Sequence, residues 1–319
     1  MKKEKGKRIT KRAEFLEKMD AIIPWTMWIE LIRPYYPDGQ RGRPVKGIER
    51  MLRMYLLQTW FDLSDERAED ELSDSISMRK FARMEEGEEA PDAMTLLKFR
   101  HLLEEHELNR VIFEAQNRIL EETGHMLRGG TIVDATIIPA PSSTKNQEKK
   151  RDGEMRSTKK NNNFFFGMKA HIGADAFSGL VHSLRVTPAN VSDVEMAAEL
   201  LREDDKVMWG DNGYQGIAKR PEIMGSEILS KIDFRVNCRR SSLPKVSEKA
   251  IDWNRHMEYL KSSVRSKVEF PFRIVKRIFG FRKTAYRGLK KNENRLYMLF
   301  ACSNLYMLAG AGRTLSPAW

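Results

Sequence analysis

Thr131–Ile138 reads TIVDATII, and this run decides the fold. Six of its eight residues are Thr, Ile or Val, whose branched Cβ suits a pleated sheet better than a helix. The exception in character is Asp134, an acid at a position where strands are poor in acids. Working outward, Phe164–Ala174 (FFFGMKAHIGA) and Leu180–Thr187 (LVHSLRVT) read as two more strands joined through a turn containing Phe-Ser-Gly. Ser192 is placed to cap a helix through Leu201, Lys206–Gly210 (KVMWG) reads as a short buried strand, and Ile228–Ile232 (ILSKI) as another. Asn254–Ile278 reads as a helix rich in Lys and Arg, and Glu293–Ala309 as an apolar one. Strands followed by alternating helix and strand give a mixed sheet of the α/β class. The polar stretch from Pro139 to Asn163 is expected to be a long loop.

Upstream, the period changes from two to about 3.6. Pro24 and Pro34 bracket a short helix, and Ile48, Met51, Leu52, Tyr55, Leu56 and Trp60 share one helical stripe. Ser64 with Asp65-Glu66 marks a helix start, and Ser75–Met84, Met94–Glu105 and Leu108–Glu122 read as further helices. The expected organisation is a basic disordered arm (1–20), a helical N-terminal domain (21–127), an α/β catalytic domain (128–312) and a tail (313–319).

The chain of 319 residues carries a net charge of +11, unevenly spread. Met1–Arg12 holds seven Lys/Arg and one Glu, and Arg255–Arg295 holds thirteen Lys/Arg and three Glu. Phe61–His106 has fourteen acids against six Lys/Arg. This pattern points to a polyanion-binding strip at one end and a different role for the middle, the ordinary alternative for a basic run being a solvated face. No apolar run reaches the length of a membrane span; Ser303, Asn304 and Gly310 break the nearest, Leu296–Gly312. The basic N-terminus lacks the apolar core of a secretory signal. Two cysteines, Cys238 and Cys302, make neither a disulfide framework nor a zinc site by themselves. The composition leaves a soluble, cytoplasmic class.

Three acids stand out by context. Asp134 lies within a strand, Asp211 follows the strand KVMWG and precedes the turn signal Asn212-Gly213, and Glu269 lies in the basic helix. Singly, each has an ordinary alternative: a solvated strand acid, a turn cap, an ion pair with Arg265 or Arg273. Together they are hard oxygen donors from separate elements, which two-metal phosphoryl transfer requires. Arg265, Glu269 and Lys276 fall within about 40° of one another around a helix, although Pro271 must kink or restart that helix. His101 and His106 are five apart, so they lie on different helical faces and do not make a zinc-protease pair. Arg41-Gly42-Arg43-Pro44 fits either an A·T-rich minor groove or the start of the next helix.

The segments TIVDATII, FFFGMKAHIGADAFSGL, VTPANVSDVE, WGDNGYQG and VRSKVEFPFRIVKRIFGFRKTAYRGLKKN, in this order, resemble bacterial DDE transposases of the insertion-sequence-five family. The helical stretch GIERMLRMYLLQTWFDLSDERAEDELSDSISMRKFAR is similar to that family's N-terminal region. The resemblance implies an RNase H-like catalytic domain in which Asp134, Asp211 and Glu269 hold two Mg²⁺ ions, with Mn²⁺ as a plausible substitute. Arg265 and Lys276 meet the spacings of its Arg–Glu–Lys signature. Two departures are visible: Ser262 stands where relatives often carry Tyr, and Phe270 where a His is expected. The implied partners are the element's terminal inverted repeats and a target duplex, bound by a homodimer at the nucleoid. Arg41, Arg43, Arg273, Arg277, Arg282, Lys283, Arg287, Lys290 and Lys291 are the expected DNA contacts. Two other readings share the triad or the fold: an RNase H-like nuclease that cuts without joining, and a catalytically silent DNA-binding protein.

Overall fold

The computed structural model describes residues 9–37, 39, 45–145, 149–160, 162–239, 242 and 253–310. The chain divides into two compact units, Met1–Ile112 with Leu305–Trp319, and Phe113–Asn304. The expected boundary at 127/128 falls inside the second unit, because the helix 108–122 runs across the division.

The first unit is helical. Its helices are α1 (Lys11–Ile22), α2 (Trp25–Ile32), α3 (Ile48–Phe61), α4 (Asp65–Asp74), α5 (Ile76–Phe81), α6 (Ala93–Glu105) and the start of α7 (Leu108–Glu122). Side-chain caps set the starts: Ser64 accepts from the Arg67 amide at 3.2 Å and Asp92 from the Thr95 amide at 2.7 Å. Helix α1 corrects the expected disordered arm, at least over residues 11–20. Thr10 caps it, accepting from the Ala13 amide at 3.2 Å, and its two buried side chains, Leu16 and Met19, sit in a polar run, too few to show as a period. Arg53 is the buried cation of this core. It pairs with Asp20 and Glu49 at 2.8 and 2.9 Å, and its guanidinium lies 3.8 Å from the centre of the Trp25 ring. A charge taken wholly out of water is tolerated only with such partners.

The second unit is built on a six-stranded mixed sheet: β1 (Gly130–Pro139), β2 (Arg156–Lys160), β3 (Asn163–Asp175), β4 (Val181–Pro188), β5 (Val207–Gly210) and β6 (Asp233–Val236). The path runs β2-β3-β1-β5-β6, with β4 also on β3. Strands β1, β3 and β4 are antiparallel neighbours, while β5 and β6 join β1 in parallel. Helices α8 (Pro221–Met224), α9 (Trp253–Arg265), α10 (Glu269–Arg273) and α11 (Leu289–Gly310) complete the unit, α11 running past its edge at Asn304. This is the α/β class, mixed sheet with flanking helices, that the strand pattern calls for.

Three local expectations change. Part of the expected loop 139–163 pairs as β2, whose RSTKK is exposed and too basic to read as a strand. The expected strand at Ile228–Ile232 is a 3₁₀ turn, Leu229–Lys231, and the strand begins at Asp233. The Ser226 hydroxyl accepts from the Leu229 amide at 3.1 Å, and this local bond favours the turn. The expected helix after Ser192 is a 3₁₀ helix, Asp193–Leu200.

Asn304, which interrupts the apolar run, is a buried clamp. Its Oδ1 accepts from the Val181 amide at 2.9 Å and its Nδ2 donates to the Val181 carbonyl at 2.8 Å, tying α11 to the start of β4. Among the described residues no helix is long and apolar enough to cross a membrane. Gly167 sits where β3 pairs with Pro139 of β1 on one side and Arg156 of β2 on the other. A Cβ there would collide with the Ile138 carbonyl oxygen. Gly167→Ala should therefore cost on the order of 2 kcal/mol or more, measured as a lower urea midpoint with unchanged slope.

Candidate active site

The site begins with strand register. In the parallel pair β1/β5, Ile132 lies beside Trp209. Two residues further along each strand come Asp134 and Asp211, so both aspartates leave the same side of neighbouring strands, which run roughly 4.8 Å apart. Asp134 is still inside β1, paired with Ile172 of β3. Asp211 has just left β5 and caps the turn Asn212–Tyr214, its Oδ1 accepting from the Gly213 amide at 2.8 Å. The turn returns Tyr214 under the strand end. Gly210 permits this, since a Cβ there would lie 3.0 Å from Tyr214 Cδ2.

Burial pushes the Asp134 carboxyl up to about 6, and the nearby Asp211 charge adds to the rise. The Ala135 amide, which donates to Oδ1 at 2.8 Å, and the charges of Arg265 and Lys160 oppose the rise. Arg265, the last residue of α9, brings Nη1 to 3.8 Å from Asp134 Oδ2. Burial and the charges of Asp134, Asp193 and Asp211 hold the Tyr214 hydroxyl well above its usual range. That hydroxyl and Asn212 Oδ1 are buried and make no hydrogen bond among the described residues.

The basic helix solves the Pro271 problem by changing pitch. α9 tightens into a 3₁₀ turn at Ser266–Val268, α10 spans Glu269–Arg273, and a π turn follows at Ile274–Ile278. Residues 265, 268, 269, 273 and 274 all keep right-handed helical dihedrals, so the path neither breaks nor restarts. The π turn directs Lys276 onto β1, where Nζ donates to Thr136 Oγ1 at 2.6 Å and to the Ile137 carbonyl at 2.8 Å. Burial lowers the Lys276 pKa, and the Lys160 charge lowers it further.

The structure thus brings together Asp134, Asp211, Arg265 and Lys276. Glu269 is exposed, with no ion pair or hydrogen bond to a described residue, and among the described residues no three His, Cys, Asp or Glu side chains gather closely enough to hold a metal ion. Two level carboxylates, one desolvated beside the charge of the other, and an orphaned amide oxygen nonetheless form a hard-oxygen set that suits a divalent cation such as Mg²⁺. Arg273, Arg277, Arg282, Lys283, Arg287, Lys290 and Lys291 are all exposed. Arg295, at the end of the same basic strip, is instead buried against the Phe281 and Tyr286 rings. Arg41 and Arg43 lie outside the described residues. His171 is structural: it is buried, its Nε2 is 2.8 Å from Thr187 Oγ1, and burial pushes its pKa down to about 4. His101 and His106 are exposed. A cavity of about 660 Å³ between α1 and α5 holds none of these residues.

A family model described as the transposase DDE domain matches residues 125–305, more than half of the chain, and a second transposase domain model matches residues 4–102. The chain belongs to the DDE transposase family. No solved structure matches it. The family gives the mixed sheet its RNase H-like identity and makes DNA the transposase's partner. Lys160, Asn212 and Tyr214 escape a reading by residue type: Lys160 lies in a stretch that reads as loop, and the other two are ordinary turn residues until the register places them beside the aspartates.

The raised carboxyl makes a prediction about stability. The unfolded Asp134 loses its proton near its ordinary pKa of about 3.9, the folded one near 6. Between those values the folded state binds more protons, so this group makes stability fall as pH rises and its full cost is present above about 6. Asp134→Asn should melt close to the wild type at pH 4 and above it at pH 7. Millimolar Mg²⁺ at pH 7 should raise the wild-type melting temperature and leave the variant unmoved. Equal responses of the two proteins would remove Asp134 from any metal site.

Proposed function

We propose that this transposase cuts DNA at the ends of an insertion sequence of the insertion-sequence-five type and joins the freed ends to target DNA. The observation that carries the reading is the pair Asp134 and Asp211, level on adjacent parallel strands with Arg265 at 3.8 Å. Asp134 and Asp211, with Glu269 from the helix, would hold two Mg²⁺ ions, or Mn²⁺ in their place. Bound there, the ions supply Lewis-acid activation of the attacking oxygen and neutralise charge on the leaving one. In the first step water adds to phosphorus and the strand's 3′-oxygen leaves as a hydroxyl. In the second that 3′-hydroxyl attacks a target phosphodiester, loses its proton and expels the target's own 3′-oxygen.

The side chains contribute position and charge. Arg265 holds Asp134 in place and adds positive charge where the phosphate arrives. Lys276 uses two bonds to β1 to hold the helix against the sheet, leaving its remaining proton for a phosphate oxygen. Glu269, exposed on the same helical path, reaches the metals as DNA and ions assemble. The exposed cations from Arg273 to Lys291 hold the flanking backbone without reading bases. Such a protein works at the nucleoid in the cytoplasm, as a dimer that pairs the two ends.

Asp134→Asn, Asp211→Asn and Glu269→Gln should each abolish both cleavage and joining while duplex binding stays near wild type. Lys276→Ala should reduce the cleavage rate more than the affinity. A strand-transfer assay with precleaved ends separates the reading from its neighbour: products longer than the donor support transposition, and cleavage alone marks a nuclease. Wild-type turnover by Asp134→Asn in Mg²⁺ would overturn the site.

A further inference from the structure

Strand β2 leaves the expected loop to form an edge hairpin with β3, and its five residues contain three cations and no acid. Arg156 spends its donors on the Gly153 and Met155 carbonyls. Lys159 and Lys160 have no carboxylate partner among the described residues. The two acids just before the strand are already engaged: Asp152 accepts from the Gly288 amide and Glu154 from the Leu289 amide, both at 2.7 Å, at the start of α11. The hairpin's positive charge is therefore uncompensated by its own neighbours.

Opposite Lys159 stands Phe164, 78% exposed, with the Lys159 ammonium 5.7 Å from its ring centre. Lys160 lies at the hairpin's end, opposite Asn163, and its charge acts on both Asp134 and Lys276. Lys276 itself contacts only neutral oxygens, Thr136 Oγ1 and the Ile137 carbonyl. Exposed ammonium groups with no carboxylate bonded to them among the described residues are a ready site for an anion. Lysines on an edge strand also serve to block sheet-to-sheet pairing. That role does not account for the exposed ring beside Lys159.

Building on the transposase reading above, we propose that the β2–β3 hairpin is a second DNA-backbone surface, in which the exposed Lys159 and Lys160 hold phosphates and Phe164 packs on a neighbouring nucleotide.

The test uses the full chain, a fluorescein-labelled random duplex and anisotropy over a series of NaCl concentrations. Each phosphate contact contributes about 0.9 to the log–log salt slope. The double variant Lys159→Ala/Lys160→Ala should flatten that slope by up to about two units, and Lys159→Arg/Lys160→Arg should restore it. Phe164→Ala should weaken binding with the slope unchanged, since it removes contact and no charge. Should the alanine pair melt below wild type, Lys159→Gln/Lys160→Gln replaces it with the strand's polar edge retained. A wild-type slope in the double variant overturns the hairpin surface and leaves the transposase reading standing. A wild-type protein that does not bind duplex DNA overturns both.

Discussion

The site depends on one register, the parallel pairing of β1 with β5 that sets Ile132 beside Trp209. Parallel strands carry no two-residue hairpin to pin their alignment, so the alignment rests on what each side buries. Val133 and Met208 lie in one core cluster with Tyr214 and Ile217, on the face opposite Asp134. Slipping β5 by one residue would turn Met208 away from that core and send Asp211 to the wrong side. The apolar face thus enforces the level placement of two acids that repel each other.

Burial raises the pKa of the Asp134 carboxyl, and the repulsion from Asp211 adds to the rise. Nearby side chains only partly compensate it. Arg265 stops at 3.8 Å, the distance of a Coulomb contact and longer than a hydrogen bond, and Lys276 turns to neutral oxygens of β1. A protein selected for stability alone would pair these acids or replace them. Retained strain of this kind belongs to sites whose missing charge arrives with the ligand.

Much of this was legible in the sequence, for definite reasons. TIVDATII and KVMWG are β-rich runs with a single anomalous acid inside or just after each, and the period carries them to the correct side of a sheet. Ser64 with Asp65 and Glu66 marked the start of α4. What escaped lacked a periodic signal. β2 is an exposed edge whose alternation buries nothing, and α1 is polar on most of its surface. The path through Pro271 escaped for another reason. Proline removes an amide donor and crowds the preceding turn, and sequence rules offer a kink or a new start. The chain instead narrows before the proline and widens after it, distributing the change over the thirteen residues Ser266–Ile278.

That pitch change bears on the third acid. Glu269 is the residue at which the 3₁₀ turn becomes α-helix, just ahead of the proline and a few residues before the π turn. Asp134 and Asp211 are held by backbone hydrogen bonds and strand pairing, whereas Glu269 is exposed on a segment that has two irregular turns. Short 3₁₀ and π stretches are shallow alternatives to α-helix, so small adjustments of pitch there rotate a side chain at modest cost. With Lys276 fixed to β1 at one end and Arg265 beside Asp134 at the other, such a rotation would leave both anchors in place. On the function proposed above, Asp134 and Asp211 would be preset and Glu269 recruited, with Pro271 keeping the intervening helix from a uniform pitch.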